Sequence, residues 1–362
     1  MIDLRLDEEQ QLIRETVHSF AMEKIRPVAH EADESGAIPG TLVAQAWELG
    51  LVQGSVPEQY GGYGQGSSAI TGTVIAEAMA EGDLAVAMHV LSPRLVIDPV
   101  LSLGSEAQKK DILPRYCGER FVAGAAAVCE PRWDFSPAKM QTTARRDGSS
   151  WVLEGKKCLV PLADDAPFIV VYARDAQDKM IGAFLVPAGT PGLQIGEREK
   201  NLGLRALATF EITLEDCRVP ADARLGDDAT PLLRRARVAQ SAMAVGVAKA
   251  SLDYAVGYAK EREAFGVKIA QKQAIAFMLA DMAIEIDAMR LLNWEAAWNL
   301  DQGNDSVREI ALARQYVADG VMQVTDHGIQ VLGGHGFIRD HPVELFARNG
   351  RGFAAFEGLA SV

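Results

Sequence analysis

Residues 259–282 read Ala259-Lys260-Glu261-Arg262-Glu263-Ala264-Phe265-Gly266-Val267-Lys268-Ile269-Ala270-Gln271-Lys272-Gln273-Ala274-Ile275-Ala276-Phe277-Met278-Leu279-Ala280-Asp281-Met282. The second half of this stretch sets the reading of what surrounds it. Ile275, Met278, Leu279 and Met282 recur at steps of three and four, and Ile286 and Met289 continue the series. That spacing predicts a helix from about Gln271 to Asp301 with one apolar face. Methionines on such a face read as packing inside a bundle rather than as ligands. Upstream, Leu232 to Ala264 predicts another long helix. Downstream, Ser306 to Leu332 predicts a third, ended by the glycines of Leu332-Gly333-Gly334-His335-Gly336. A short helix near His341 to Arg348 follows. Residues 231–362 therefore predict a C-terminal four-helix bundle.

Working back, the period changes near residue 121. Short segments at 121–128, 142–146, 151–159, 168–173, 181–186 and 209–214 read as strands, several parted by Asp-Gly, Pro-Gly or Gly-Leu turns. A central β-barrel or sandwich domain over 121–230 is expected. Residues 1–120 predict a helical domain. Its first helix runs from Leu4 to about Ala32, with Asp7 as N-cap, Gln10 completing a capping box, and Pro27 as a kink. Helices at 40–49, 67–81, 85–103 and 106–117 are expected after it. The glycines of Val56-Pro57-Glu58-Gln59-Tyr60-Gly61-Gly62-Tyr63-Gly64 do not have phosphate-loop spacing, so this segment reads as a turn-rich connector. The fold class is mixed α and β in three parts.

The 362 residues are 48% apolar with a net charge of −13, which fits a globular chain and argues against nucleic acid or an anionic membrane as partner. No run of eighteen apolar residues appears, so no membrane span is expected. The polar start lacks a signal-peptide pattern, and Cys117, Cys129, Cys158 and Cys217 form no CxxC pair. Both features predict reduced thiols and a cytoplasmic setting. There is no P-loop, nucleophile elbow, HExxH or dinucleotide fingerprint. His327, His335 and His341 lack metal-ligand spacing, so no metal is expected.

One carboxylate stands out. Glu357 is the only acid in residues 351–362, and Phe353, Phe356 and Leu359 flank it. Gly358 lets backbone come close. Burial among apolar groups disfavours the charged form of a carboxyl, which suits a general base working near neutral pH.

Several segments together resemble the acyl-CoA dehydrogenase family. Arg262 to Gln273 is similar to its ER-x-x-FG-x-x-I…Q segment, and Gln330 to Phe337, followed by His341-Pro342-Val343-Glu344, to its terminal glycine turn. Val56 to Gly64 is similar to its VPEEYGG loop, and Val128-Cys129-Glu130-Pro131 to its TEP segment. Ala183 to Pro187 and Leu202 to Ala206 fit its β-domain, and Glu357-Gly358 falls at its catalytic Glu-Gly. The resemblance covers nearly the whole chain. It implies FAD-dependent α,β-dehydrogenation of an acyl-CoA thioester. Glu357 would remove the α-proton, and its backbone N–H together with a ribityl hydroxyl would polarise the carbonyl. Electrons would pass to an electron-transferring flavoprotein. It also implies an FAD site shared between subunits of a homotetramer or a two-plus-two heterotetramer. Arg262 would reach a neighbour's pyrophosphate and Phe265 the same cofactor. Gln330 and Gly334 would approach its adenine end, with Gln273 and Gly333 in the same set. Arg237 and Phe356 would face the substrate.

Where the chain would hold its own FAD, it departs from the pattern. Threonine, glycine and serine of the TEPxxGSD segment are replaced by Cys129, Asp134 and Phe135. The flavin-packing Trp is Leu159, the next hydroxyl residue is Pro161, and the Thr after Glu-Gly is Leu359. Cys129 and Leu159 thus occupy cofactor positions with altered chemistry. Two alternatives follow: an FAD-poor subunit of a heterotetramer, or a non-redox acyl-CoA-binding protein.

Overall fold

The computed structural model describes residues 4–64, 66–353 and 356–362. The first helix, α1 (Glu8–Phe20), starts at the expected box. Asp7 Oδ1 accepts the Gln10 N–H at 2.8 Å, and the Gln10 side chain accepts the Asp7 N–H at 3.1 Å. A π turn (Ala21–Ile25) and a 3-10 turn carrying Pro27 (Arg26–Val28) then re-aim the chain into α2 (Ala29–Ser35). After α3 (Gly40–Glu48) comes the glycine connector. A Cβ on Gly62 would sit 2.1 Å from the Val56 carbonyl oxygen, and one on Gly64 1.6 Å from that of Gly54. These glycines let backbone cross backbone, as a connector requires.

Helix α4 (Ala69–Gly82) is buried along most of its length. Its start is capped from afar: Asp301 accepts from the Ser68 hydroxyl at 2.8 Å and from the N–H groups of Ala69 and Ile70 at 2.6 and 3.0 Å. The helix expected over 85–103 is two, α5 (Leu84–Val90) and α6 (Arg94–Leu103). Pro93 disfavours helical backbone at the residue before it, and the chain breaks there. Likewise α7 (Glu106–Ile112) stops ahead of Pro114 and finishes as a 3-10 turn.

One eight-stranded sheet follows: β1 (Ala125–Ala127), β2 (Thr143–Asp147), β3 (Ser150–Pro161), β4 (Phe168–Asp175), β5 (Ile181–Pro187), β6 (Leu193–Arg198), β7 (Thr209–Pro220) and β8 (Arg224–Leu225). The spatial order is β6-β7-β3-β2-β4-β5-β8, with β1 paired to β4. Strands β1 and β2 run parallel to β4, and the other neighbours are antiparallel. Strand β6 was not expected. Five of its six residues are exposed, so its sequence carries no alternation to read.

Among the described residues, four helices make the C-terminal part. Helix α8 (Thr230–Glu261) leads through a hairpin, β9 (Glu263–Ala264) and β10 (Val267–Lys268), to α9 (Gln273–Asp301), α10 (Val307–Leu332) and the short α11 (Val343–Gly350). Helix α4 also packs on α8 and α9, so the bundle and the N-terminal helices share one core. The outer face of α9 bares Phe277, Ile284 and Leu291, each seven residues from the last. Among the described residues no single helix is long and apolar enough to cross a membrane.

Candidate active site

Glu357 is 7% exposed, as its apolar neighbours suggested, and Phe353 and Leu359 are buried beside it in sequence. Its carboxylate, however, does not face an apolar cage. Arg237 on α8 donates from Nη2 to Oε1 at 2.9 Å and from Nε to both oxygens at 3.2 Å. Arg314 on α10 places Nη2 3.2 Å from Oε1 and donates to the Phe356 carbonyl at 2.6 Å. In place of the expected apolar surroundings, the buried carboxyl meets two guanidiniums, the partners that make burial of such a group tolerable. Arg237 is thus brought to the candidate base. Arg314 went unnoticed in the sequence, where it is one more cation on a helix.

The backbone around Glu357 is tightly set. Gly358 has φ +73°, and a Cβ there would lie 2.3 Å from Val128 Cγ2, so glycine is required on both counts. The Cys129 thiol donates to the Glu357 carbonyl at 3.4 Å, and burial pushes that thiol up to about 11. Cys129 therefore anchors the terminal stretch to β1 as a neutral thiol. Phe356 is half-buried and meets Phe353 edge-on at 6.1 Å. Ala354 and Ala355 lie outside the described residues.

Arg237 also lines a cavity of about 450 Å³ between the sheet, α8 and α10. Arg174, Lys179 and Arg234 line it too, among apolar groups including Ile181, Leu233 and Ile310. A cationic, partly apolar cavity thus touches the residue that grips Glu357.

A second cleft, of about 590 Å³, opens where α8, the β9–β10 hairpin and the end of α10 meet. Arg262, Phe265, Gln330, Gly333 and Gly334 all line it, together with Tyr258, Lys272 and His335. No carboxylate pairs with Arg262 or Lys272 among the described residues. Phe265 is 94% exposed and held at φ +55°, an uncommon conformation for a bulky residue, with the Lys272 ammonium 5.7 Å from its ring centre. Gln273, at the start of α9, is exposed but does not line the cleft.

The positions that depart from the family pattern are occupied otherwise. Asp134 pairs with Arg132 at 2.9 Å, and that hydrogen bond holds its carboxyl below the usual range. Phe135 packs against the core. Leu159 sits at φ +54°, and its N–H donates to both Glu199 carboxylate oxygens at 3.1 Å. Pro161 closes β3 opposite Thr209, and Leu359 is buried. Beneath this loop, fully buried Lys157 donates to the Val128 carbonyl at 2.9 Å and lies 3.4 Å from Glu130. Glu130 also accepts the N–H groups of Gln141 and Thr142, at 2.9 and 2.7 Å.

Known proteins resemble this chain in sequence and fold. The N-terminal, middle and C-terminal domains of acyl-CoA dehydrogenases match residues 7–120, 125–217 and 227–362. The short-chain specific acyl-CoA dehydrogenase of Bos taurus mitochondria is 35% identical over 99% of this chain and 89% of its own length. The butyryl-CoA dehydrogenase of Megasphaera elsdenii is 29% identical with a TM-score of 0.89, covering 99% of this chain and 96% of that one. A glutaryl-CoA dehydrogenase from Mycobacterium smegmatis, solved with FADH2, is 28% identical with a TM-score of 0.86, covering 98% and 92%. With a buried terminal glutamate, a cationic cavity beside it and three matched domains in order, the chain belongs to the acyl-CoA dehydrogenase family.

Proposed function

We propose that this protein dehydrogenates an acyl-CoA thioester between its α and β carbons, with FAD as cofactor and Glu357 as base. The observation that carries the reading is the buried Glu357 carboxylate gripped by Arg237, which itself lines the cationic cavity. The cations of that cavity suit the phosphates of coenzyme A, and its apolar walls suit the pantetheine and acyl parts. The cleft at Arg262 fits a dinucleotide half-site: two uncompensated cations for pyrophosphate, bare aromatic faces for adenine. Bound FAD would supply the acceptor for the β-hydrogen and its electron pair. Glu357 takes the α-proton, the two C–H bonds break, and a C=C bond forms. Before that, the carboxylate must leave its two guanidiniums. Arg237 and Arg314 hold it in place until then. The Glu357 N–H, fixed by the Gly358 turn against Val128, is a candidate donor to the thioester oxygen as enolate character develops.

The short-chain name of the bovine relative makes a short acyl group the first to try, and an electron-transferring flavoprotein the first electron acceptor. The bare stripe on α9 suits burial against another helix in a tetramer. A heterotetrameric reading has its own support: the Leu159 N–H and Asp134, at positions that would face this chain's own flavin, are already engaged within the chain. Such a chain would lend Arg262 to a partner and hold FAD weakly itself.

Glu357→Gln tests the assignment. Folding and flavin content should stay near wild type, while acyl-CoA-dependent bleaching of the flavin falls by about 10³-fold or more, as befits loss of a general base. Bleaching at the wild-type rate would rule Glu357 out.

A further inference from the structure

His335 follows the glycine turn at the end of α10 and its residue is exposed, yet its ring is not left to wander. The Tyr258 hydroxyl and His335 Nδ1 share a hydrogen bond of 2.8 Å. The ring stacks on His341 at 5.5 Å and 16°. His341 in turn shares a 2.7 Å hydrogen bond, through Nδ1, with the Tyr254 hydroxyl. Tyr254 and Tyr258 are four residues apart on α8 and so present to one face. The result is a two-rung ladder of Tyr–His pairs, also joined by an edge-on contact of Tyr258 with His341 at 5.6 Å.

Holding an exposed side chain in one orientation costs rotamer entropy, which the ladder offsets for His335. With the tyrosine hydroxyl as donor to Nδ1, Nε2 is the ring's N–H. Tyr258 and His335 line the same cleft as Arg262, Phe265, Lys272 and Gln330. The cations there suit phosphate, and Phe265 offers an apolar face. The hydrogen-bonding imidazole adds directional polar recognition.

We propose that His335, oriented by Tyr258 and backed by the His341–Tyr254 rung, is a positioning residue for the adenylate part of the dinucleotide that this cleft receives. The inference rests on the reading of the cleft as an FAD half-site, and it adds a specific group to it. A ladder that merely ties the turn to α8 would serve stability alone, so affinity and stability separate the two roles.

The test titrates FAD, and separately ADP, into the assembled apoprotein by calorimetry, for wild type and for His335→Phe, His335→Ala and Tyr258→Phe. Phenylalanine keeps a ring that can stack on His341 but has no nitrogen. Both His335 variants should bind FAD and ADP about five- to tenfold more weakly, the loss expected for one hydrogen bond. Tyr258→Phe, which frees the ring without removing it, should lose about two- to threefold. Melting temperatures of all three should stay near wild type. His335→Phe with wild-type affinity for FAD and ADP overturns the proposal and leaves the FAD reading standing, and a lowered melting temperature with unchanged affinity assigns the ladder to stability alone. Wild-type protein that takes up neither FAD nor ADP, in the presence or absence of a partner chain, overturns both.

Discussion

The cleft at Arg262 and the loop from Cys129 to Ser136, the two regions we propose as sides of a cofactor site, handle their charges in opposite ways. In the cleft, Arg262 and Lys272 meet no carboxylate among the described residues, and the Phe265 ring stands bare. In the loop, charges are spent within the chain. Asp134 is taken by Arg132, Glu130 by Lys157 and two backbone N–H groups, and the Leu159 N–H by Glu199. A surface kept for a ligand leaves its hydrogen-bonding capacity open; a surface kept for the fold closes it.

If that contrast is right, breaking the loop should cost stability, and breaking the cleft should cost ligand. The largest effect is expected for Lys157→Met, which takes the nearer of two cations from buried Glu130 and leaves Arg132 at 3.7 Å. About 3–5 kcal/mol of unfolding free energy should be lost, read from urea denaturation. The pH dependence sharpens this. Burial pulls the Lys157 ammonium down to about 8 from 10.5. The folded value lies below the unfolded one, so the unfolded chain binds the extra proton between them. Wild type should therefore gain on the variant as pH rises from about 8 to 10.5, by at most about 1.4 kcal/mol per pH unit, and the gain should fade as pH falls through 8. A flat difference across that range would mean that Lys157 does not titrate as an isolated buried amine.

Next in size is Arg262→Ala. Loss of a charged hydrogen bond to phosphate should lower FAD affinity by about ten- to a hundredfold, with melting temperature unchanged. In a mixed assembly the flavin lost should be the partner's, which flavin content per chain after gel filtration would reveal. Smallest is the repair of the loop. Asp134→Gly with Phe135→Ser removes a carboxylate and restores the small residues of the family pattern; FAD affinity of the chain alone should rise a few-fold, for roughly 1 kcal/mol of lost packing at Phe135. Tight, stoichiometric FAD in the unaltered chain expressed alone would erase the contrast, since the closed loop would then be no obstacle.

The sequence was most legible where one face of an element is wet. The capping box of α1 and the buried Met282, Ile286 and Met289 of α9 announce themselves by spacing. Strand β6 carries no such pattern, being exposed on both faces, and the break between α5 and α6 hides in an apolar run where only Pro93 marks it. At the site, the burial of Glu357 was legible but its partners were not. Apolar neighbours in sequence suggested an apolar environment, while the groups that meet the carboxylate come from positions 237 and 314, on two other helices. Nothing local distinguishes Arg314 from a solvated helix cation. The ladder was equally hidden, since Tyr254 and Tyr258 read as ordinary residues of a packed helix until the turn at His335 folds over them.

Helix α10 carries Arg314 about two turns in from its start and Gln330 near its end, with the Gly333–Gly334 turn just beyond. Sixteen residues of unbroken helix between Arg314 and Gln330 amount to about 24 Å of stiff rod. Arg314 steadies the Glu357 carboxylate, and Gln330 lines the cleft at Arg262. The rod fixes the spacing between the two, much as a ruler would. On the proposed shared cofactor site, this one helix would set the spacing between the base of one centre and the cofactor of the next.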